Sequence, residues 1–233
     1  QSATAAAGSV KLGIGMDTST WNEKHVDELS ILELAYAHLG GAGSYRLKDG
    51  RLKSILPITL GEINHARHME YSKNFVPVVG AFGVIEQIGF TYKRNDKIEY
   101  SNPNASSINK AMYYFADYEE GDDDVKALYA LRNSFLHNAS LMAKALHANK
   151  PSYYFQFDRE IDMLVQYPET PWDGNILTFK TEYTTLINPE KVIDLAAVVV
   201  DSALKCLESN ALEVNLEWGE KELFYRFLKH FRD

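Results

Sequence analysis

An arginine set among apolar residues is the feature of this chain with the clearest chemical potential. The segment "ALRNSFLH" covers residues 130–137, and at about 100° per residue on a helical wheel Arg132 falls in the middle of an apolar stripe. The stripe comprises Val125, Leu128, Tyr129, Phe135, Leu136, Ala139, Met142, Ala143 and Leu146. Asn133 and His137 lie on one flank, with His137 about 140° around the helix from Arg132. The charge of Arg132 therefore needs a partner, because an unpaired buried charge is very costly.

Two kinds of partner for Arg132 are compatible with this pattern. One is a carboxylate on a neighbouring helix, which would form an internal salt bridge. The other is a phosphate that reaches the helix at a cleft or at a partner subunit. A guanidinium suits the second role because it stays charged and offers a bidentate fork. The residues alone leave both interpretations open.

Helical segments dominate the sequence around this motif. Apolar periodicity, caps and breakers predict helices over about 17–39, 60–75, 77–90, 107–118, 125–147, 188–210 and 219–233. The expected N-caps are Ser106 or Ser107, the aspartates at 122–124, and Asn188. After Pro151, aromatic and β-branched runs separated by turns predict a small antiparallel β insertion at about 153–187. The sequence thus predicts a mainly α fold, a helical bundle that carries a minor β element.

Length and composition bound the domain organisation. The 233 residues suit a single domain over 17–233, while residues 1–16 suit a disordered tail or an expression remnant. The single cysteine, Cys206, cannot form an intramolecular disulfide, and we expect it to be buried on a helix. No signal-peptide pattern opens the chain, and the longest apolar run, "LAAVVV", is too short to cross a bilayer. A cytoplasmic location away from the membrane is therefore expected.

The charge of the chain argues against general affinity for nucleic acids. The formal net charge is −8, with 12 Lys and Arg against 11 Asp and Glu in residues 1–116, but 12 against 21 in residues 117–233. RNA would have to be held by local basic patches. Two such patches carry a tyrosine (Tyr45 or Tyr92) that could stack on a base. Their cations are Arg46, Lys48, Arg51 and Lys53 in the first patch and Lys93, Arg94 and Lys97 in the second. Solvated loops are the alternative interpretation of both patches.

The run from Arg132 to His137 resembles the R-N-x-x-x-H form of the motif in HEPN domains (higher eukaryotes and prokaryotes nucleotide-binding). Its context, "LYALRNSFLHNAS" after an acidic cap and an aromatic helix, is also similar to that family. The β insertion and the following "INPEKVIDLAAVVVDSALKCL" more loosely resemble plasmid-borne or defence-associated HEPN proteins of bacteria. The resemblance extends at most over residues 105–208.

This resemblance implies a helical, usually homodimeric protein in which two motifs meet across a two-fold axis and form a metal-independent ribonuclease site. There His137 takes the proton from a ribose 2′-hydroxyl, and its copy protonates the leaving 5′-oxygen. Arg132 holds the phosphate and stabilises developing charge, and Asn133 orients the histidine or donates to a phosphate oxygen. The resemblance further implies a 2′,3′-cyclic phosphate product, a role as a toxin or phage-defence effector, and no cofactor or metal.

A non-catalytic HEPN-like module that binds RNA, a nucleotide or a protein is the alternative, and the acidic balance of the chain favours it. In the enzyme both His137 side chains approach one open cleft, whereas in the binding module an internal carboxylate consumes Arg132. A zinc site at Glu62, His65 and His68 is a poorer interpretation, because H-E-x-x-H and cysteine ligands are absent. The RNA target and any antitoxin partner stay open.

Overall fold

The computed structural model describes residues 16–145 and 150–232. Within these ranges seven α-helices are present: α1 Ile31–Leu39, α2 Leu56–Ala66, α3 Val76–Thr91, α4 Ser107–Phe115, α5 Asp123–Asn138, α6 Pro189–Glu208 and α7 Gly219–Phe227. The same ranges contain nine strands: β1 Ser44–Leu47, β2 Gly50–Ser54, β3 Tyr92–Arg94, β4 Met142–Ala143, β5 Tyr153–Phe157, β6 Val165–Gln166, β7 Thr184–Ile187, β8 Leu212–Val214 and β9 Leu228–Arg232. These strands form three separate sheets. The prediction of a mainly α bundle with one small β insertion is therefore wrong, and the fold is mixed α/β.

Helix α3 lies at the centre of the helical core, where it packs against α2, α4 and α6. Among its 16 residues Glu86 is the single charged one. Gly89 marks the crossing with α4, because a Cβ at this position would collide with the backbone carbonyl of Ser107. The predicted helix over 77–90 is confirmed, and its close packing fixes the position of Glu86.

Helix α5 carries the arginine motif and ends earlier than predicted. The side chain of Asp122 caps its N-terminus, whereas Ala139 adopts a left-handed φ of 50° and closes the helix. The chain then enters strand β4, so the predicted continuation to about residue 147 is wrong. Leu146 of the apolar stripe and His147 lie outside the described residues.

The buried face of α5 differs from the predicted stripe. Its buried residues are Val125, Ala127, Leu128, Leu131 and Ser134. Arg132 follows Leu131 by one residue and is rotated from it by about 100°, and the side chain of Arg132 is 21% exposed. Arg132 therefore lies at the margin of the buried face and not in its middle. The helical wheel placed it in the middle because the predicted stripe did not include Ala127 and Leu131.

A three-stranded antiparallel sheet of order β1-β2-β9 joins distant parts of the chain. The predicted turn at 49–50 connects β1 to β2, and Gly50 has a φ of 149°. We predict a helix over 219–233, but α7 stops at Phe227 and the rest forms β9 beside β2. Leu228 is buried against the hairpin while Lys229 is exposed, and this alternation suits a strand.

The predicted β insertion is present, but its pairing is mixed. The sheet has the order β4-β5-β7-β6, and its central pair, β5 with β7, is parallel. The pairs β4–β5 and β6–β7 are antiparallel. The prediction of a purely antiparallel insertion is therefore wrong. The cause is the long connection between β5 and β7, which returns the chain in the same direction instead of through a hairpin.

Local signals at the other helix ends are confirmed. Ser106 caps α4, and Asn188 caps α6 with Pro189 at the first helical position. Cys206 is buried on α6, as predicted. The first predicted helix, over 17–39, starts only with α1, and two short 3-10 helices precede it. None of the helices in the described part of the chain is both long and apolar enough to cross a membrane.

Candidate functional site

The side chain of Arg132 connects helix α5 to helix α3. Its Nη2 donates to Oε2 of Glu86 at 2.7 Å, and each of these two side chains is 21% exposed. Its Nη1 donates to Oδ1 of Asn133 at 2.9 Å. The structure thus places the partly exposed guanidinium between α5 and α3, with a carboxylate of α3 on one side.

The imidazole of His137 lies against the same guanidinium. Its Nε2 is 3.3 Å from Nη1 of Arg132, although the two residues are about 140° apart around the helix. The length of the arginine side chain closes this gap. A guanidinium nitrogen only donates, so a hydrogen bond here requires an Nε2 that carries no proton. His137 is exposed at the last turn of α5, and the motif therefore places an imidazole beside a cation at the surface.

The guanidinium of Arg132 retains donor capacity. Two Nη1 contacts and one Nη2 contact use three of its five N–H donors. The Nε of Arg132 is buried and has no hydrogen-bond partner among the described residues. Glu86 accepts from Nη2 alone, so the fork formed by Nε and Nη2 is only half occupied. Two N–H donors therefore stay unused, one on the buried Nε and one on Nη2.

Glu86 is the site residue that we did not predict. It lies 46 residues before Arg132, and no local spacing links the two. A signal was nevertheless available, because Glu86 is the one charged residue of an otherwise apolar helix. The lone acid of α3 and the single arginine of α5 could have been matched by charge.

An exposed apolar surface surrounds the Glu86–Arg132 pair, and we call it the α3 face. It comprises Phe75, which directly precedes α3, and the α3 residues Val76, Val79, Gly83 and Phe90. The four apolar side chains are 44%, 58%, 38% and 42% exposed, respectively. Gly83 has nothing within 4 Å of the position that a Cβ would occupy. Phe75 also packs on Phe135 at 5.5 Å between ring centroids, which links this surface to α5.

The two predicted RNA-binding patches are separated by the structure. Arg46, Lys48, Arg51 and Lys53 lie on the β1–β2 hairpin, whereas Lys93 and Arg94 lie on β3 in another sheet. The two tyrosines that could stack on a base are buried, with Tyr45 8% and Tyr92 1% exposed. The prediction that they offer stacking surfaces is therefore wrong.

The cations of the β3 patch are already engaged. Lys93 lies 3.2 Å from Glu213 of β8, and this hydrogen bond raises the pKa of Lys93. The Nε of Arg94 donates to Asp96 at 2.8 Å, which raises the pKa of the guanidinium. The charges of Lys93 and Arg94 are locally neutralised, so the β1–β2 hairpin is the better candidate of the two for binding an anionic ligand.

A metal centre finds no support in the described residues. Within 16–145 and 150–232 no group of three or more His, Cys, Asp or Glu side chains is arranged to hold a metal ion. His65 lies on α2, and His68 follows the helix in a turn, so the two do not share one helical face as the zinc interpretation requires.

Comparison with known proteins yields no match: no protein-family model, no curated protein and no solved structure matches this chain. The resemblance to HEPN domains therefore rests on the sequence motif at 132–137 and its sequence context.

Proposed function

We propose that this chain is one subunit of a homodimeric endoribonuclease of the HEPN type. Two copies of Arg132, Asn133 and His137 form one composite site around a phosphodiester. The site needs no metal, because imidazole and guanidinium groups supply proton transfer and charge stabilisation. With such an activity the protein would act as a toxin or as a phage-defence effector.

The observation that supports this proposal most is the contact between Arg132 and His137. Nη1 of Arg132 lies 3.3 Å from Nε2 of His137. In a ribonucleotide a phosphate oxygen and the neighbouring 2′-hydroxyl are only a few ångströms apart, so the two side chains could contact both groups at once. The unprotonated Nε2 is the form that accepts a proton. Arg132 in turn retains one unused N–H on Nη2 for a phosphate oxygen.

The proposed reaction transfers two protons and exchanges one bond to phosphorus. His137 of one subunit takes the 2′-hydroxyl proton, and the 2′-oxygen forms a bond to phosphorus. The bond from phosphorus to the 5′-oxygen breaks, and the protonated histidine of the second copy donates its proton to that oxygen. The products are a 2′,3′-cyclic phosphate and a free 5′-hydroxyl. Arg132 stabilises the additional charge on the phosphate oxygens.

The α3 face supports the homodimer that this chemistry requires. A single motif supplies one histidine, whereas the reaction uses a base and an acid. The face places four partly exposed apolar side chains beside the motif, and such a patch marks an interaction surface. Gly83 lacks a side chain at its centre, which allows a helix of a second copy to approach closely. Docking of two α3 faces would bring both His137 side chains toward one axis.

The ion pair between Glu86 and Arg132 favours a second candidate function. An internal carboxylate within 2.7 Å is the arrangement expected of a non-catalytic module, in which the pair fastens α5 to α3. Such a module would bind RNA, a nucleotide or a protein without cleaving it.

Product analysis separates the two candidates. A 5′-labelled single-stranded RNA is incubated with the purified protein in excess chelator, and its ends are identified after phosphatase and acid treatment. The ribonuclease yields 2′,3′-cyclic phosphate ends and new 5′-hydroxyl ends. RNA that is retained by the protein and recovered intact would establish the binding module instead.

A further inference from the structure

The outward face of the β1–β2–β9 sheet carries a concentration of positive charge that this acidic chain shows at no other sheet in the described residues. The outward positions follow from alternation along each strand: exposed side chains alternate with the buried Tyr45, Leu47 and Leu52. Six positions face outward, namely Ser44, Arg46, Arg51, Lys53, Lys229 and Phe231. We call these six residues the basic sheet face.

The register arranges the basic sheet face in two rows across the strands. Ser44 lies opposite Lys53, which lies opposite Lys229. Arg46 lies opposite Arg51, and Arg51 lies opposite Phe231. Like charges directly opposite each other in an antiparallel pair destabilise it. A bound polyanion would relieve the repulsion between Lys53 and Lys229.

The β1–β2 hairpin contributes no acidic side chain that neutralises the basic sheet face. Asp49 is the single carboxylate of the segment 44–54. Its oxygens face the imidazoles of His25 at 3.4 Å and His230 at 3.3 Å, and His230 occupies an inward position opposite Leu52. In addition, Arg51, Lys53 and Lys229 form no ion pair with any described residue.

Phe231 gives the basic sheet face an aromatic surface that the buried Tyr45 cannot provide. Its side chain is 52% exposed, and Nζ of Lys53 lies 4.9 Å from its ring centroid. An exposed ring beside cations is the arrangement that proteins use to stack a base while they hold the neighbouring phosphates. An acidic protein surface or an anionic membrane would use the cations but would leave the ring without a planar partner.

We propose that the basic sheet face binds single-stranded RNA, with Arg51, Lys53 and Lys229 on the phosphates and Phe231 stacked on a base. This inference deepens the proposed function and rests on it for the identity of the nucleic acid. The hairpin cations were predicted from the sequence. Lys229 and Phe231 complete the surface only because the end of the chain adds β9 to the hairpin.

The test measures binding without cleavage. A fluorescent single-stranded 2′-O-methyl RNA has no 2′-hydroxyl nucleophile, and its affinity is measured by anisotropy at several salt concentrations. The double variant Arg51→Ala/Lys229→Ala should bind at least 10-fold more weakly than wild type, with a shallower dependence on salt because about 0.7 counterion is released per phosphate contact. Phe231→Ala should lose roughly 5- to 100-fold in affinity with an unchanged salt slope.

The matched control is Lys180→Ala/Lys205→Ala, which removes two exposed lysines from other elements, 62% and 70% exposed. It should bind like wild type. Equal losses in the control and in the sheet variants, or binding of anionic lipid vesicles in place of RNA, would overturn the proposal. Circular dichroism melting of each variant distinguishes lost binding from lost fold.

Failure here and failure of the proposed function are distinguishable. His137→Ala should slow cleavage of ordinary RNA by about 10²–10⁴-fold and leave the anisotropy titration unchanged. If wild type binds RNA through the sheet face but does not cleave it, the proposed ribonuclease activity is contradicted and the proposed binding surface is not. If the sheet variants cleave RNA at the wild-type rate at both low and saturating RNA concentrations, RNA binding at the basic sheet face is contradicted and the proposed ribonuclease is not.

Discussion

The Nη2 of Arg132 donates a hydrogen bond to Oε2 of Glu86 at 2.7 Å and so joins α5 to α3. This bond gives Arg132 a defined place in the absence of any ligand. The same guanidinium touches His137 at 3.3 Å. In the proposed ribonuclease, a phosphate would have to compete with the Glu86 carboxylate for this guanidinium.

Replacement of Glu86 tests the contribution of this pair to stability. Glu86→Gln keeps the size of the side chain but removes the charge, and it should lower the free energy of unfolding by about 1–2 kcal/mol, between the values typical of surface and of buried pairs. The measurement is the urea midpoint at constant m-value. Asp201→Asn is the control, since its partner Lys205 is 70% exposed, and it should leave the midpoint unchanged. Equal midpoints for Glu86→Gln and wild type would mean that the pair does not fasten α5 to α3.

A charge on the α3 face tests the homodimer. Val79→Glu should convert the protein to a monomer, because it buries an unpaired carboxylate between the two subunits. Sedimentation velocity gives the oligomeric state. Val198→Glu, at another exposed helical valine that is 52% exposed, should remain dimeric. A monomeric wild type, or dissociation of both variants alike, would contradict this interface.

Two glycines of α3 should respond in opposite directions to alanine. Gly83→Ala meets open space and should raise the free energy of unfolding by up to about 1 kcal/mol through helix propensity. Gly89→Ala meets the Ser107 carbonyl and Ala111, and overpacking should lower the free energy of unfolding by about 1–3 kcal/mol. Urea unfolding in the Val79→Glu background measures both without a contribution from the dimer. Shifts of the same sign would show that the α3–α4 crossing is misplaced.

Buried His38 predicts acid sensitivity of the fold. It is completely buried, its Nδ1 lies 2.7 Å from the Tyr92 hydroxyl, and burial lowers its pKa from 6.5 to about 3. The unfolded chain binds this proton below pH 6.5 and the folded chain does not, so stability is complete above that pH and falls as the pH drops toward 3. One such group contributes a slope of about 1.4 kcal/mol per pH unit. His38→Gln should flatten the dependence of the urea midpoint between pH 6 and 4, and an unchanged slope would rule out a neutral buried imidazole.

Local signals in the sequence predicted the local parts of the fold. The caps at Ser106, Asp122 and Asn188 depend on a few adjacent residues, and the structure confirms each of them. The turn at 49–50 is confirmed for the same reason. Such features need no knowledge of distant partners.

Features that depend on pairing between distant segments could not be predicted from the sequence. The segment after Phe227 has a helical period, yet it becomes β9 because β2, far earlier in the chain, offers it an open edge. The parallel pairing of β5 with β7 likewise depends on how the intervening chain returns. For the site, the sequence predicted Arg132 and His137 but not Glu86, since ion pairing between helices is set by tertiary packing.

The most direct test of the account is the rate of RNA cleavage in chelator by wild type, His137→Ala and Arg132→Ala, with Lys205→Ala as a surface control. We expect wild type and the control to cleave at the same rate. Loss of proton transfer should slow His137→Ala by about 10²–10⁴-fold, and loss of charge stabilisation should slow Arg132→Ala by at least about 10²-fold. Cleavage at the wild-type rate by both motif variants, or no cleavage by wild type, would contradict the assignment of this site to catalysis.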